Sequence, residues 1–180
     1  RARGHALFEI LDLFAELLPV SRTILRKVER HLPRLLATEG PLLFTVNTLT
    51  VYFAAAMSSR LRAAGRRTAA GGPACSFPPL RNLLLRCGAF DAVVRGEGDR
   101  VVAPLVDALC SLPTPSVPGA SWLEDGVVRS LPPGAPADLD ALPMPSFRGT
   151  DVHDFVPILS SRGCPHRCTY CSEPSHWGCH

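Results

Sequence analysis

Apolar positions change rhythm along this chain, and each change predicts a different kind of structure. Between residues 5 and 37, Leu7, Ile10, Leu11, Phe14, Leu17 and Leu18 recur at helical spacing. Pro19 followed by Ser21 ends one helix and is placed to open the next, which predicts a packed helix pair. From Gly40 a shorter beat takes over. Residues 42–47 form an apolar run suited to a buried strand, and residues 51–64 read as a helix stopped by Gly65. Residues 67–70 are a second strand, which opens into Gly71, Gly72 and Pro73. Residues 79–87 read as a helix ended by Gly88, residues 91–94 as a third strand running into Arg95, Gly96, Glu97, Gly98 and Asp99, and residues 101–110 as a further helix. Strands alternating with helices of this length are βαβ units. They predict an α/β fold: a doubly wound, Rossmann-like parallel sheet, or at least half of one, covered on both faces.

Past residue 110 the pattern loosens into proline, glycine, serine and alanine. Residues 120–123 and 127–130 flank Glu124, Asp125 and Gly126, a hairpin signal. The remainder, through Pro132, Pro133, Pro143 and Pro145, reads as a semi-rigid linker. A last apolar strand at 155–160 leads into a cysteine-rich segment. The predicted organisation is therefore helices at 1–39, a sheet domain at 40–112, a hairpin and linker at 113–154, and the start of another domain at 155–180.

Composition narrows the function classes. At 180 residues and 46% hydrophobic, the chain has ample material for a core. Its longest apolar runs, 41–46 and 51–57, are too short to cross a bilayer. Glu9, Asp12 and Glu16 interrupt the apolar stretch near the amino terminus, so it does not read as a signal peptide. A net charge of +3, dispersed along the chain, gives no argument for nucleic acid. Seven cysteines without an export signal point to metal binding in the cytoplasm and away from a disulfide framework.

The chemistry concentrates in Cys164, Cys168 and Cys171, spaced C-x3-C-x2-C, with Tyr170 directly before the third thiol. Gly163 and Pro165 suit a tight loop entry. Three such thiolates can hold three corners of a cubane iron–sulfur cluster and leave its fourth iron open to a small molecule. The alternative is a zinc site completed by His166, His176, Cys179 or His180, although structural zinc more commonly uses C-x2-C pairs.

The run from Ser160 to Ser172 closely resembles the cluster loop of radical S-adenosylmethionine enzymes, in which the loop follows the first barrel strand. The resemblance implies a 4Fe–4S cluster on Cys164, Cys168 and Cys171, with S-adenosylmethionine chelated to the open iron and Tyr170 near its adenine. The general alternative for Tyr170 is a core aromatic. In that family the reduced cluster breaks the sulfonium to give methionine and a 5′-deoxyadenosyl radical. An external electron donor such as a flavodoxin or ferredoxin is then required, and the substrate is a small molecule or peptide that the chain does not specify.

The order GGPxxS, then VVRGEGD, then a proline linker and SRGCPHRCTYC is similar to that of cobalamin-binding radical S-adenosylmethionine proteins, over residues 40–178. This implies that the strand-end loops at Asn47 and Thr48, at Gly71, Gly72, Pro73 and Ser76, and at Gly96, Glu97 and Gly98 cradle cobalamin. The implied activity is a radical methyltransferase. The alternatives are a methylthiotransferase or another radical enzyme with a vestigial front domain, and a zinc-stabilised non-catalytic α/β module. There are departures from the pattern. Ala74 stands where the family often has histidine, and no D-x-H-x-x-G motif is present to ligate cobalt from below. A methylthiotransferase would need a second cluster on Cys75, Cys87 and Cys110, whose default reading is as small apolar residues. For His176, Trp177, Cys179 and His180 structural roles are expected, and for Asp91 and Glu97 a solvated or turn-stabilising one.

A βα unit takes roughly 30 residues, so the segment after Cys171 cannot build a barrel. The expectation is an incomplete portion of an enzyme, inactive alone. Measurable 5′-deoxyadenosine from this chain would overturn it.

Overall fold

The computed structural model describes residues 19–144, 146–147, 161–166, 168–171 and 176–177. The helix expected before Pro19 and the strand expected at 155–160 lie outside the described residues.

Three parallel strands follow the apolar runs: β1 (Leu42–Thr45), β2 (Thr68–Gly71) and β3 (Ala92–Val94). In register, Phe44 lies opposite Ala70, and Ala70 opposite Val93. Around them run α1 (Pro19–Leu36), α2 (Val51–Ala63), α3 (Pro78–Arg86) and α4 (Val102–Ser111). The hairpin also forms, as β4 (Ala120–Glu124) and β5 (Val127–Ser130), turned by Asp125 and Gly126 at φ 49° and 78°. Positive φ at both central residues is what a two-residue hairpin turn requires.

Two expectations are corrected. The sheet is mixed rather than parallel, because β4 pairs antiparallel with β3 and carries β5 beside it. The hairpin therefore belongs to the sheet and not to the linker. In addition, the described strands run in the order β1-β2-β3-β4-β5 without reversal, whereas a doubly wound sheet reverses its order at a switch point.

Helices nevertheless reach both faces. Two crossovers of the same hand, stepping in the same direction, put α2 and α3 on one side. There, Ala54, Leu84 and Leu85 pack over Ala70 and Val93. The α4 helix leads into an antiparallel strand, escapes that constraint, and buries Leu105 and Leu109 against Ala69, Ala92 and Val94 on the other side. The α1 helix adds an outer layer, Val28 meeting Met57 and Leu61 of α2.

Polar ties fix the register of helix on sheet. The Ser58 hydroxyl lies 2.7 Å from Thr68 Oγ1 and 2.6 Å from the Ala89 carbonyl oxygen, all in the interior. Asp91 accepts from the Thr68 N–H at 2.8 Å and from Arg62 at 3.1 Å, so it ties helix to strand rather than being solvated or stabilising a turn. None of the described helices is long and apolar enough to cross a membrane.

Candidate functional site at the carboxyl edge

Right-handed βαβ connections deliver the loops after β1, β2 and β3 to one edge of the sheet, and every strand-end residue singled out in the sequence lies there. Their jobs differ. The Asn47 side-chain oxygen accepts from the Leu49 and Thr50 N–H groups at 2.9 and 3.0 Å, so it shapes the start of α2. Thr48 is exposed.

Gly72 has φ 104°, and a Cβ there would stand 2.8 Å from the Val46 carbonyl oxygen. Its glycine therefore serves a close approach of the β2 loop to the β1 end, which the Ala74 N–H to Val46 carbonyl bond (3.2 Å) reinforces. Gly71 continues this contact, its carbonyl accepting from the Val46 N–H at 2.7 Å. The following 3₁₀ turn, Pro73–Ser76, starts on proline and buries Cys75 and Ser76.

The β3 loop holds the cysteine segment. Arg162, two residues before Cys164, donates to Asp99 through both terminal nitrogens, at 2.6 and 3.1 Å, and to Glu97 at 3.1 Å. Its side chain is 15% exposed and that of Glu97 12%, so the Glu97 contact is largely shielded from water, while the fork-shaped pair with Asp99 (27% exposed) is more open. The Arg162 hydrogen bonds hold the Asp99 carboxyl below its usual range and raise the guanidinium in return.

Glu97 also accepts from the Ala137 N–H at 2.6 Å, tying in the linker. Beyond the last thiol, His176 Nδ1 lies 3.0 Å from Ser76 Oγ, both side chains buried. Trp177 stacks edge-on against His176 at 4.5 Å and lies under the Arg162 guanidinium at 5.2 Å. The cysteine loop is thus clamped on either side, once to the β3 loop and once to the β2 loop.

Gly96 (φ 82°) turns that β3 loop toward Pro133, and Gly98 accepts the first turn of α4 through its carbonyl. Between the loops, the linker and the His176–Trp177 pair opens a cavity of about 460 Å³. Ser76, Arg95, Gly96, Glu97 and Arg100 line it on the sheet side.

Cys164 and Cys171 are half-buried and Cys168 is exposed, all as free thiols. Gly163 turns into the loop at φ 86°, and the Cys171 N–H closes a turn on the Cys168 carbonyl at 3.1 Å. The donor set, three thiols in one accessible loop, suits an iron–sulfur cluster chemically. Among the described residues, however, no three His, Cys, Asp or Glu side chains converge enough to hold a metal ion. Cys75, Cys87 and Cys110 likewise do not converge. Cys75 is a core residue whose thiol burial pushes up to about 12.

Tyr170 is 91% exposed, so it is not a core aromatic. Sequence reasoning missed Arg162, because nothing in one dimension shows that its loop meets Glu97 and Asp99.

No protein-family model matches the chain. It is 37% identical, over 118 residues and 60% of its length, to an uncharacterized methyltransferase of Pyrococcus horikoshii. It is 31% identical, over 106 residues and 53% of its length, to the anaerobic magnesium-protoporphyrin IX monomethyl ester cyclase of Synechocystis. The chain spans only 25% and 21% of those relatives.

In fold, the chain is similar to a radical S-adenosylmethionine methyltransferase of known structure. That structure is TsrM of Kitasatospora setae, one of the proteins whose fold it shares, solved with cobalamin and a 4Fe–4S cluster bound. The TM-score is 0.56 at 19% identity, over 82% of this chain and 34% of TsrM.

Proposed function

We propose that this chain supplies the cobalamin-binding-like domain and the cluster loop of a radical S-adenosylmethionine methyltransferase. The observation that carries the reading is the double clamp, Arg162 on Glu97 and Asp99 and His176 on Ser76, which brings a C-x3-C-x2-C loop to the carboxyl edge of an α/β sheet. Ligands of such sheets bind at that edge, so a corrinoid lodged there would face the cysteine loop. The likeness to TsrM in fold and to a methyltransferase in sequence supports the same assignment.

In this reading Cys164, Cys168 and Cys171 hold three irons of a 4Fe–4S cluster, and exposed Tyr170 is available to cover an adenine. The loops at Asn47 and Thr48, at Gly71, Gly72, Pro73 and Ser76, and at Gly96, Glu97 and Gly98 hold cobalamin. When bound, the cluster supplies the electron that opens S-adenosylmethionine, and cobalamin supplies a methyl carrier. The chain's own residues position: Arg162 fixes the entry of the cysteine loop, His176 its exit, and the proline linker roofs the cavity between them. A flavodoxin- or ferredoxin-type donor delivers the electron.

Anaerobic reconstitution with iron and sulfide tests this. The expected result is about four irons per chain with broad brown absorbance, lost in Cys168→Ala, and retention of cobalamin through gel filtration. Stoichiometric zinc in place of iron, with no cobalamin retained, would reject the reading.

A further inference from the structure

The cavity at the carboxyl edge carries charge that no described neighbour neutralises. Its charged lining residues are Arg95, Glu97 and Arg100. Glu97 is already engaged by Arg162 and by the Ala137 N–H. Among the described residues no carboxylate pairs with Arg95 or Arg100, and Arg95 Nε is buried without a hydrogen-bond partner.

A third arginine, Arg81 of α3, stands outside the lining but within electrostatic reach of Arg95. It is only 8% exposed, and its Nε and Nη1 are buried and unpartnered. Burial first, and the Arg95 charge second, make its protonated form costly. The nearby Cys75 thiol is neutral and offers no counter-charge. Neighbouring like charges with unsatisfied donors are unfavourable in a shielded site unless an anion joins them.

We propose that Arg95 and Arg100, backed by Arg81, form an anion site in this cavity that takes a phosphate group. Phosphate fits better than carboxylate, because its oxygens point in several directions and can accept from guanidiniums arriving from different elements. Arg95 directly follows β3, Arg100 precedes α4, and Arg81 lies in the first turns of α3. The phosphate could be the diester of a bound cobalamin's nucleotide, in which case the inference rests on the reading above, or a group on a phosphorylated substrate.

The experiment measures binding of inorganic phosphate, hydroxocobalamin and dicyanocobinamide (which lacks the nucleotide and its phosphodiester) to the wild-type protein and to Arg95→Gln and Arg100→Gln. Inorganic phosphate should raise the wild-type Tm, and each variant should bind it roughly tenfold or more weakly, as for loss of a charge-assisted contact. The ligand-free Arg95→Gln protein should melt no lower than wild type, since the substitution relieves repulsion with Arg81. An arginine with a merely structural role would behave in the opposite way.

Weakened hydroxocobalamin binding with unchanged cobinamide binding assigns the phosphate to the nucleotide. Weakened phosphate binding alone assigns it to another ligand. Phosphate binding without any cobalamin binding would sink the proposed function and leave the anion site standing. Wild-type protein indifferent to phosphate, with hydroxocobalamin held equally by the variants, overturns the site, as does a lowered Tm in Arg95→Gln with phosphate binding intact.

Discussion

Leu85 and Arg162 each hold a segment of this protein in place, by opposite means. Leu85 is 1% exposed and works by shape, filling the space between α3 and the sheet alongside Ala70, Phe90 and Val93. Arg162 works by charge, reaching across to two carboxylates and leaving the thiols of its own loop half-buried or exposed. Apolar packing stabilises in proportion to area and tolerates no gaps, whereas a clamp of a few polar bonds can be released and remade. The sheet is thus built to stay, and the cysteine loop is built to be positioned. On the proposed reading, in which its thiols close around a cluster, the loop benefits from that difference.

The largest expected effect lies on the packed side. Leu85→Ala should cost about 2–5 kcal/mol, lost transfer energy plus the cavity left behind. Urea unfolding at neutral pH measures it. A cost below about 1 kcal/mol would mean that this face relaxes freely, and the contrast with the loop would then fail. The labelling rate of Cys168 in the folded protein should stay unchanged.

Next comes a backbone junction between the end of β3 and the hairpin. Gly119 has φ 78°, and a Cβ there would stand 2.6 Å from the Arg95 carbonyl oxygen. Its own carbonyl accepts from the Arg95 N–H at 3.1 Å, and its N–H reaches the Pro132 carbonyl at 2.7 Å. Gly119→Ala should therefore cost about 1–3 kcal/mol. Gly126 has the same φ but open space around it, so Gly126→Ala carries only the conformational penalty and should cost less. Equal losses in the two thermal melts would show that the close approach is unimportant.

The clamp itself comes third. Arg162→Met strands the Glu97 and Asp99 carboxylates and should populate opening of the cysteine loop roughly tenfold or more. Hydrogen exchange at residues 161–171 reads this, while the exchange of β2 and β3 stays slow. The clamp also has a pH signature. Asp99 titrates lower in the folded protein than in the unfolded chain, because Arg162 hydrogen-bonds to its charged form. That contribution is fully present above the unfolded carboxylate pKa of about 3.9 and is lost as pH falls through the folded value. Loop protection should therefore decline in acid in the wild type and be flat with pH over that window in Arg162→Met. A parallel acid decline in the variant would remove Asp99 from the account.

The strands, the helices and the hairpin were legible because their signals are local: apolar runs of set length, Gly65 and Gly88 as stops, Asp125 and Gly126 as a turn. The cysteine motif is visible in the sequence as a spacing, and its chemistry stays a proposal. Strand order was not, since whether β4 joins β3 depends on surfaces that meet only after folding. The same limit hid Arg162. Sixty-three residues separate it from Asp99, and an arginine beside a cysteine motif carries no sign of its partner. Gly72 was found for an incomplete reason. Its glycine is expected from the sequence to admit a ligand, and in the structure its neighbour is the Val46 carbonyl.

The smallest effect tests whether shielding, rather than charge, makes the clamp. Arg129 and Glu124 meet at 3.1 Å, the same separation as Arg162 and Glu97, but their side chains are 56% and 42% exposed, against 15% and 12%. Water screens the outer pair and competes for its donors, so Arg129→Ala should change stability by no more than about 0.5 kcal/mol, and added salt should erase even that. The shielded pair should keep most of its effect on loop exchange in the same salt. If Arg129→Ala proves as costly as Arg162→Met, or if salt releases the cysteine loop as readily as the hairpin pair, then the distance between charges matters and their seclusion does not. The loop would then be held no more firmly than any surface turn, and the double clamp would lose its claim to position the thiols.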